Sequence, residues 1–424
     1  MMRVLLAAAT LAVLVAPALA GEGADKTIAA AYEGRLAEER GALAALCDGG
    51  DTEACFGAGL AELVHGYQDL SRAMYRHGAS VPGSSATELI FGLGLDGQDA
   101  LQVANPSPEP LTYEQLRVIL EDTIAALDKA RDYFTVAGDG AEFLVALDPL
   151  QVRLDVDGDG VIGDAETFAP FVATVMGGPT GGLSDKQKSK GLDAAGESHI
   201  GFDKADALWF AGYTQITATP VDWLLAHDFS GLYAAYFHRI FPKASLPMQE
   251  HTMGGTLLID PGSDSEIADL IAAIHMMRFP VVDRDRLAGV LDRMKQVPEF
   301  SRRNWDAILA ETDDNRELLP SPSQTSLVPG YSVTQEVVDA WMATLDTVDA
   351  VLAGELLLPH WRFERGFDLK AYFETAMETD LVMLLAGQGA LPFLRDGPVA
   401  DADSFAEGNR VFGENWPNFA IWFN

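Results

Sequence analysis

Apolar residues recur along most of this chain at intervals of three and four, the spacing that lines one face of an α-helix. The clearest stretch covers residues 53–77, where Phe56, Leu60, Leu63, Val64, Tyr67, Leu70 and Met74 form a single stripe. Residues 111–137 repeat the pattern through Leu116, Ile119, Leu120, Thr123, Leu127, Ala130 and Phe134, and Thr112 with Gln115 has capping-box spacing at its start. Residues 26–46, 203–217, 220–241, 264–277, 284–312, 334–358, 368–385 and 404–410 are further predicted helices, whereas only 256–260 and a few short runs have strand character. These segments predict an all-α or nearly all-α fold, a large irregular multi-helix domain over residues 21–424. Gly/Pro-rich breaks at 106–110, 177–191 and 320–329 read as loops within it or as boundaries, and no repeat of 20–50 residues supports a solenoid.

Composition narrows the partners. The chain has 424 residues with 63 acidic and 29 basic side chains, a net charge of −34, which repels phosphates and anionic headgroups. Nucleic acid is therefore not expected as a partner. A hydrophobic share of 48% is too high for a disordered chain, and two cysteines are too few for a disulfide-dense scaffold or a four-cysteine zinc site. Residues 1–20 combine Arg3, an apolar run over 4–15, the breaker Pro17 and Ala18-Leu19-Ala20, the pattern of a signal peptide cleaved after Ala20. A periplasmic or secreted protein is expected. The apolar run is shorter than the roughly 20 residues a membrane span needs, and no other run approaches it, so no membrane span is predicted.

An oxidising compartment makes Cys47 and Cys55 a candidate disulfide. Gly49-Gly50 reads as a turn and Asp51 or Thr52 as the cap of the next helix, so the bond would staple a helical hairpin over 47–77. With Ala54, Cys55, Gly57, Gly59, Leu60 and Ala73 at small or apolar positions, this hairpin resembles one unit of the tetratricopeptide-like Sel1 repeat. Further copies do not follow it, and no function is carried over.

One segment carries chemistry. Asp155-Val156-Asp157-Gly158-Asp159-Gly160-Val161-Ile162-Gly163-Asp164-Ala165-Glu166 matches the pattern D-x-[DN]-x-[DN]-G-x5-E at every position. Here the chain resembles the EF-hand family, which implies a Ca²⁺ site. In that resemblance Asp155, Asp157 and Asp159 each supply a carboxylate oxygen, Gly160 makes the sharp turn, and Val161 supplies its carbonyl. A water stands in for the missing side chain of Gly163, and Glu166 closes the site with both oxygens. The family pairs position 8, here Ile162, with a neighbouring loop, and flanks the loop with helices. Residues 143–176 are the expected helix–loop–helix, with the entering helix carrying Phe143, Leu144, Leu147, Leu150 and Leu154 and broken or restarted at Asp148-Pro149. The exiting helix is expected to begin at Glu166 and run over 165–176. No second loop of this form exists; Asp203 and Asp206 read as a cap and first-turn carboxylate opening a helix.

Other constellations give less. The pairs His227-Asp228, Glu250-His251 and His360 with Glu364 do not form H-E-x-x-H, and neither a G-x-S-x-G elbow nor a phosphate loop is present. The imelysin-type G-x-H-x-x-E motif is missing as well. Aromatic stretches at 209–213, Trp223, 233–237 and 416–423 read as core, with the last a tail docked on the helical body. The leading expectation is an exported, non-enzymatic calcium-binding helical protein with Ca²⁺ in a structural role. A binding or scaffold module for a peptide or small ligand is the second reading. A hydrolase assembled from scattered residues such as His227, His238, His251 or His360 is the third.

Overall fold

The computed structural model describes residues 21–79, 104–163, 166–167, 199–244, 264–326, 332–413 and 423. The expected signal peptide, the strand at 256–260, His251 and all of 168–198 lie outside them. The architecture is mostly helical with small antiparallel sheets, as the periodicity predicts. Its helices are α1 (Glu22–Tyr32), α2 (Arg40–Asp48), α3 (Thr52–Arg76), α4 (Tyr113–Asp139), α5 (Lys204–Leu225), α6 (Ser230–Tyr236), α7 (Asp264–His275), α8 (Arg284–Ala310), α9 (Gln335–Ala353), α10 (Leu369–Thr375), α11 (Leu381–Ala386) and α12 (Ala406–Phe412). Among the described residues no helix is long and apolar enough to cross a membrane.

Four long helices make the frame: α3 packs on α4, α4 on α5, and α5 on α8. Their apolar stripes meet in one core that holds Phe56, Leu127, Phe134 and Leu208. Phe56 contacts the rings of Phe134, Phe143, Phe202 and Phe210, with centroids 5.5–6.0 Å apart. Close approach of α3 and α4 depends on Gly59, where an added Cβ would fall 2.6 Å from the Phe134 ring. The capping box at Thr112 forms as expected, with Thr112 Oγ1 accepting from Gln115 N and Gln115 Oε1 accepting from Thr112 N.

Charge is also buried in the frame. Arg293 of α8 donates to Asp222 and Gln215 of α5 and to Asp128 of α4, while Arg286 reaches Glu121 of α4 and Asp222. Asp222 is thus buried between two guanidinium groups, which supply the charge and hydrogen bonds that a buried carboxylate requires.

Several helix boundaries differ from expectation. Residues 26–46 split into α1 and α2, with the chain turning through Gly34 at φ +69°. Pro220 does not separate two helices but lies inside α5, and Pro298 lies inside α8. Residues 368–385 divide into α10 and α11 because Glu378–Asp380 pairs antiparallel with Arg278–Pro280 across a hundred residues of sequence. A three-stranded sheet of Leu358–His360, Phe363–Phe367 and Leu394–Arg395 was likewise not anticipated. Phe423 is fully buried, stacks on Trp305, and accepts hydrogen bonds at its carbonyl from Ser301 and Trp305.

Cys47 and Cys55 form the expected disulfide, with Cα atoms 4.6 Å apart, joining the end of α2 to the first turn of α3. Asp51 caps α3 by accepting from Ala54 N, and its other oxygen accepts from Gly23 N at the start of α1. One turn therefore ties three helices together. Replacing both cysteines by alanine is expected to lower stability by about 2–3 kcal/mol in urea denaturation, because a short closed loop is released in the unfolded chain.

Candidate metal centre

The 155–166 loop is seated against α1 and α3. Before it, Val145–Leu147 (β1) pairs antiparallel with Ile200–Phe202 (β2), and Asp148 then caps a single turn by accepting from Leu150 N and the Gln151 side chain. The entering helix expected over 143–154 is therefore a strand and a turn. Its apolar residues alternate instead: Val145 and Leu147 point into the core and Ala146 outward. After the loop, Glu166 is not helical and Thr167 bridges back to Arg153, while Leu154 N donates to the Glu166 carbonyl. The start of the expected exiting helix is thus an extended closure, and the rest of that segment lies outside the described residues.

Inside the loop the backbone is wound by its own carboxylates. Asp155 Oδ1 accepts from Gly158 N at 2.9 Å, Asp157 Oδ1 from Asp159 N at 3.0 Å, and Asp159 Oδ1 from Val161 N at 2.7 Å. Gly158 and Gly160 take φ of +77° and +87°, a region that side chains resist. Glu166 folds back over the loop: Oε1 accepts from Val156 N and Asp157 N, and Oε2 accepts from Gly163 N.

Asp155, Asp157 and Asp159 each present a carboxylate oxygen, and the three oxygens lie within 4.8 Å of one another. Oxygens bound to one Ca²⁺ at roughly 2.3–2.6 Å are at most about 5 Å apart, so this cluster has the dimensions of such a site. Its members differ in exposure: Asp155 is buried, Asp157 half-buried and Asp159 exposed. Burial, together with the charges of Glu166, Asp159 and Asp155, pushes the Asp157 carboxyl above the ordinary aspartate range, and the Asp159 N–H partly offsets it. Glu166 is buried but is not one of the three converging groups. Val161 is exposed.

Two neighbours escaped the local motif. Arg72 of α3 donates Nε to Asp155 Oδ2 at 2.7 Å, placing a guanidinium against the first loop carboxylate. Ile162 packs over Gly34, at the turn after α1, rather than against a second loop. Neither contact has a signature near residue 155, because each joins segments more than eighty residues apart in the chain.

A second carboxylate group was missed. Asp203 caps α5 as expected, in a capping box with Asp206, but Glu311 and Glu317 from the end of α8 meet it there. One oxygen each from Asp203, Glu311 and Glu317 lies within 4.8 Å of the others. Burial and the Asp203 charge push Glu317 up to about 8, and the same two causes raise Glu311. Asp206 is raised by burial and by Asp203. The sequence signal was Asp203 alone, since the glutamates lie more than a hundred residues away.

The histidines go elsewhere. His227 is fully buried, with Nδ1 on the Trp223 carbonyl and Nε2 on Thr379 Oγ1. His238 meets Asp269, and His360 meets the Leu384 carbonyl. Of these three only His238 touches a carboxylate among the described residues. Trp209, Tyr233, Tyr236 and Phe237 are core residues. An open groove between α2, α3 and α4 is lined by charged and small residues, including Arg40, Glu62, Arg72, Asp122 and Lys129, with the His65 imidazole but no Phe, Tyr or Trp. No family model matches this chain, and neither does any curated protein or solved structure.

Two outcomes follow from the geometry. Gly158→Ala would set a Cβ 2.3 Å from the Ser71 carbonyl oxygen at a positive φ, so a stability loss of about 1–3 kcal/mol is expected in urea denaturation. In chelator-treated protein, the folded state holds a proton on Glu317 up to about pH 8, whereas the unfolded chain releases it near 4.5. Stability attributable to this group should therefore fall as pH rises from 4.5 and level off beyond about 8, and Glu317→Gln should flatten that slope in urea midpoints.

Proposed function

We propose that this is an exported calcium-binding helical protein in which the 155–166 loop holds Ca²⁺ in a structural role. The observation that carries the reading is the convergence of Asp155, Asp157 and Asp159 oxygens within 4.8 Å in a loop already wound by Gly158 and Gly160. An all-oxygen donor set suits a hard divalent cation, and extracellular calcium modules work at about 10⁻⁴–10⁻³ M Ca²⁺. Asp155, Asp157 and Asp159 would hold the ion, Val161 would add its carbonyl, and Glu166 would exchange backbone N–H partners for the metal on rotating inward.

A structural role is favoured by what surrounds the loop. Arg153 N donates to the Ala31 carbonyl, Ile162 covers Gly34, and Gly158 lies against Ser71, so the loop is fastened to α1 and α3 on several sides. A sensor needs a second packing arrangement to switch into, and a loop fastened in this way has little room for one. Bound Ca²⁺ would neutralise carboxylates that otherwise repel, with Arg72 supplying part of that neutralisation on Asp155.

Calorimetry on the chelator-stripped mature chain tests this. Ca²⁺ uptake in the millimolar range or tighter is expected, and Asp155→Ala with Glu166→Ala should remove the loop's equivalent. With a dissociation constant of about 10⁻⁴ M, about 10 mM Ca²⁺ should add about 2.7 kcal/mol to the folding stability. Uptake left unchanged in the double variant would sink the reading.

A further inference from the structure

Some buried carboxylates in this protein are met by cations. Asp222 sits between Arg286 and Arg293, and Glu62 accepts from Lys129. The group formed by Asp203, Asp206, Glu311 and Glu317 differs from these. Asp203, Asp206 and Glu317 are 8, 6 and 4% exposed, yet no lysine, arginine or histidine forms an ion pair with any of the four among the described residues. Arg316, beside Glu317 in the chain, turns its Nε to the His199 carbonyl instead.

The donors that reach these groups leave one carboxylate oxygen enclosed and unmet. Asp203 Oδ1 accepts from Ala205 N and from Asp206 N, and Asp206 Oδ2 accepts from Asp203 N, which completes the capping box. Glu311 Oε2 accepts from Gln324 Nε2 at 2.8 Å, but Glu311 Oε1 is enclosed and meets no donor. Glu317 is almost wholly buried and accepts at Oε1 from Asn315 N at 3.2 Å. An enclosed carboxylate oxygen without a donor costs about 1–3 kcal/mol or more unless a proton or a metal ion meets it.

We propose that Asp203, Glu311 and Glu317 form a second binding site for an oxygen-seeking divalent cation of the Ca²⁺ class. One oxygen from each lies within 4.8 Å of the other two, the span that a single ion at roughly 2.3–2.6 Å from each can bridge. The set contains no imidazole or thiolate, which disfavours zinc and copper. Asp206 stands behind it, holding the Asp203 backbone. The ion would join the first turn of α5 to the segment that follows α8, taking the place that Arg293 takes deeper in the same helix pair. This site shares no residue with the 155–166 loop and does not depend on that loop binding calcium.

The experiment is Ca²⁺ calorimetry at about pH 7.5 on three chelator-stripped proteins: wild type, D155A/E166A, and E311Q/E317Q. Two equivalents are expected in the wild type, and one in each double variant. Retention of one equivalent in D155A/E166A together with its loss from E311Q/E317Q supports the second site even if the loop takes up nothing. E311Q/E317Q that binds as much Ca²⁺ as wild type, while melting at a higher temperature in chelator, would overturn it in favour of a cluster that simply shares protons. Should E311Q/E317Q fail to fold by circular dichroism, thermal melting of D155A/E166A decides: a midpoint raised by millimolar Ca²⁺ supports the proposal, and an unmoved midpoint overturns it.

Discussion

Carboxylates held closer than about 5 Å repel one another by a few kcal/mol per pair at a protein-like dielectric. This chain carries 63 acidic side chains and places several of them inside that distance, so much of its architecture concerns what meets them. Three answers appear. In the helical frame the answer is arginine, with Asp222 and Asp128 drawn to Arg293. In the 155–166 loop it is backbone N–H groups with Arg72 at one edge. At the α5 start the oxygens converge with few donors and, among the described residues, no cationic side chain, the arrangement on which the proposed second site rests.

Helix α3 links these regions to the fold. Its first turn carries Cys55 and is capped by Asp51, which also fastens α1; its middle admits Phe134 through Gly59; its last turns hold Ser71 and Arg72 against the acidic loop. A loop of five carboxylates placed on an ordinary surface would have only solvent for support. Seated on α3 and α1, it gains a fixed backbone path, and fixing that path in advance reduces the ordering cost of binding an ion.

The departure from a helix–loop–helix has a clear physical origin. Residues 143–154 contain apolar positions that fit either period, and Pro149 prevents a continuous helix. Pairing with Ile200–Phe202 selects the strand, since it satisfies the backbone of Val145–Leu147 and buries alternate side chains in the Phe56 core. Ile162, which the motif would direct toward a partner loop, covers Gly34 instead. The loop pattern is local and survives in this setting; its customary flanks are not required by it.

Periodicity alone determined the long helices α3, α4, α8 and α9 within a few residues, because a stripe of apolar side chains every three or four positions has one efficient way to be buried. Sequence also determined the disulfide, the capping box at Thr112, the cap at Asp203, and the three carboxylates at 155, 157 and 159, all of which depend on neighbours within about ten residues. Tertiary structure decided the rest. Pro220 stays within α5, residues 368–385 break around a strand pairing with 278–280, Arg72 finds Asp155, and Glu311 with Glu317 finds Asp203. These contacts join segments about eighty or more residues apart, and a local pattern holds no record of which distant surface will be brought against it.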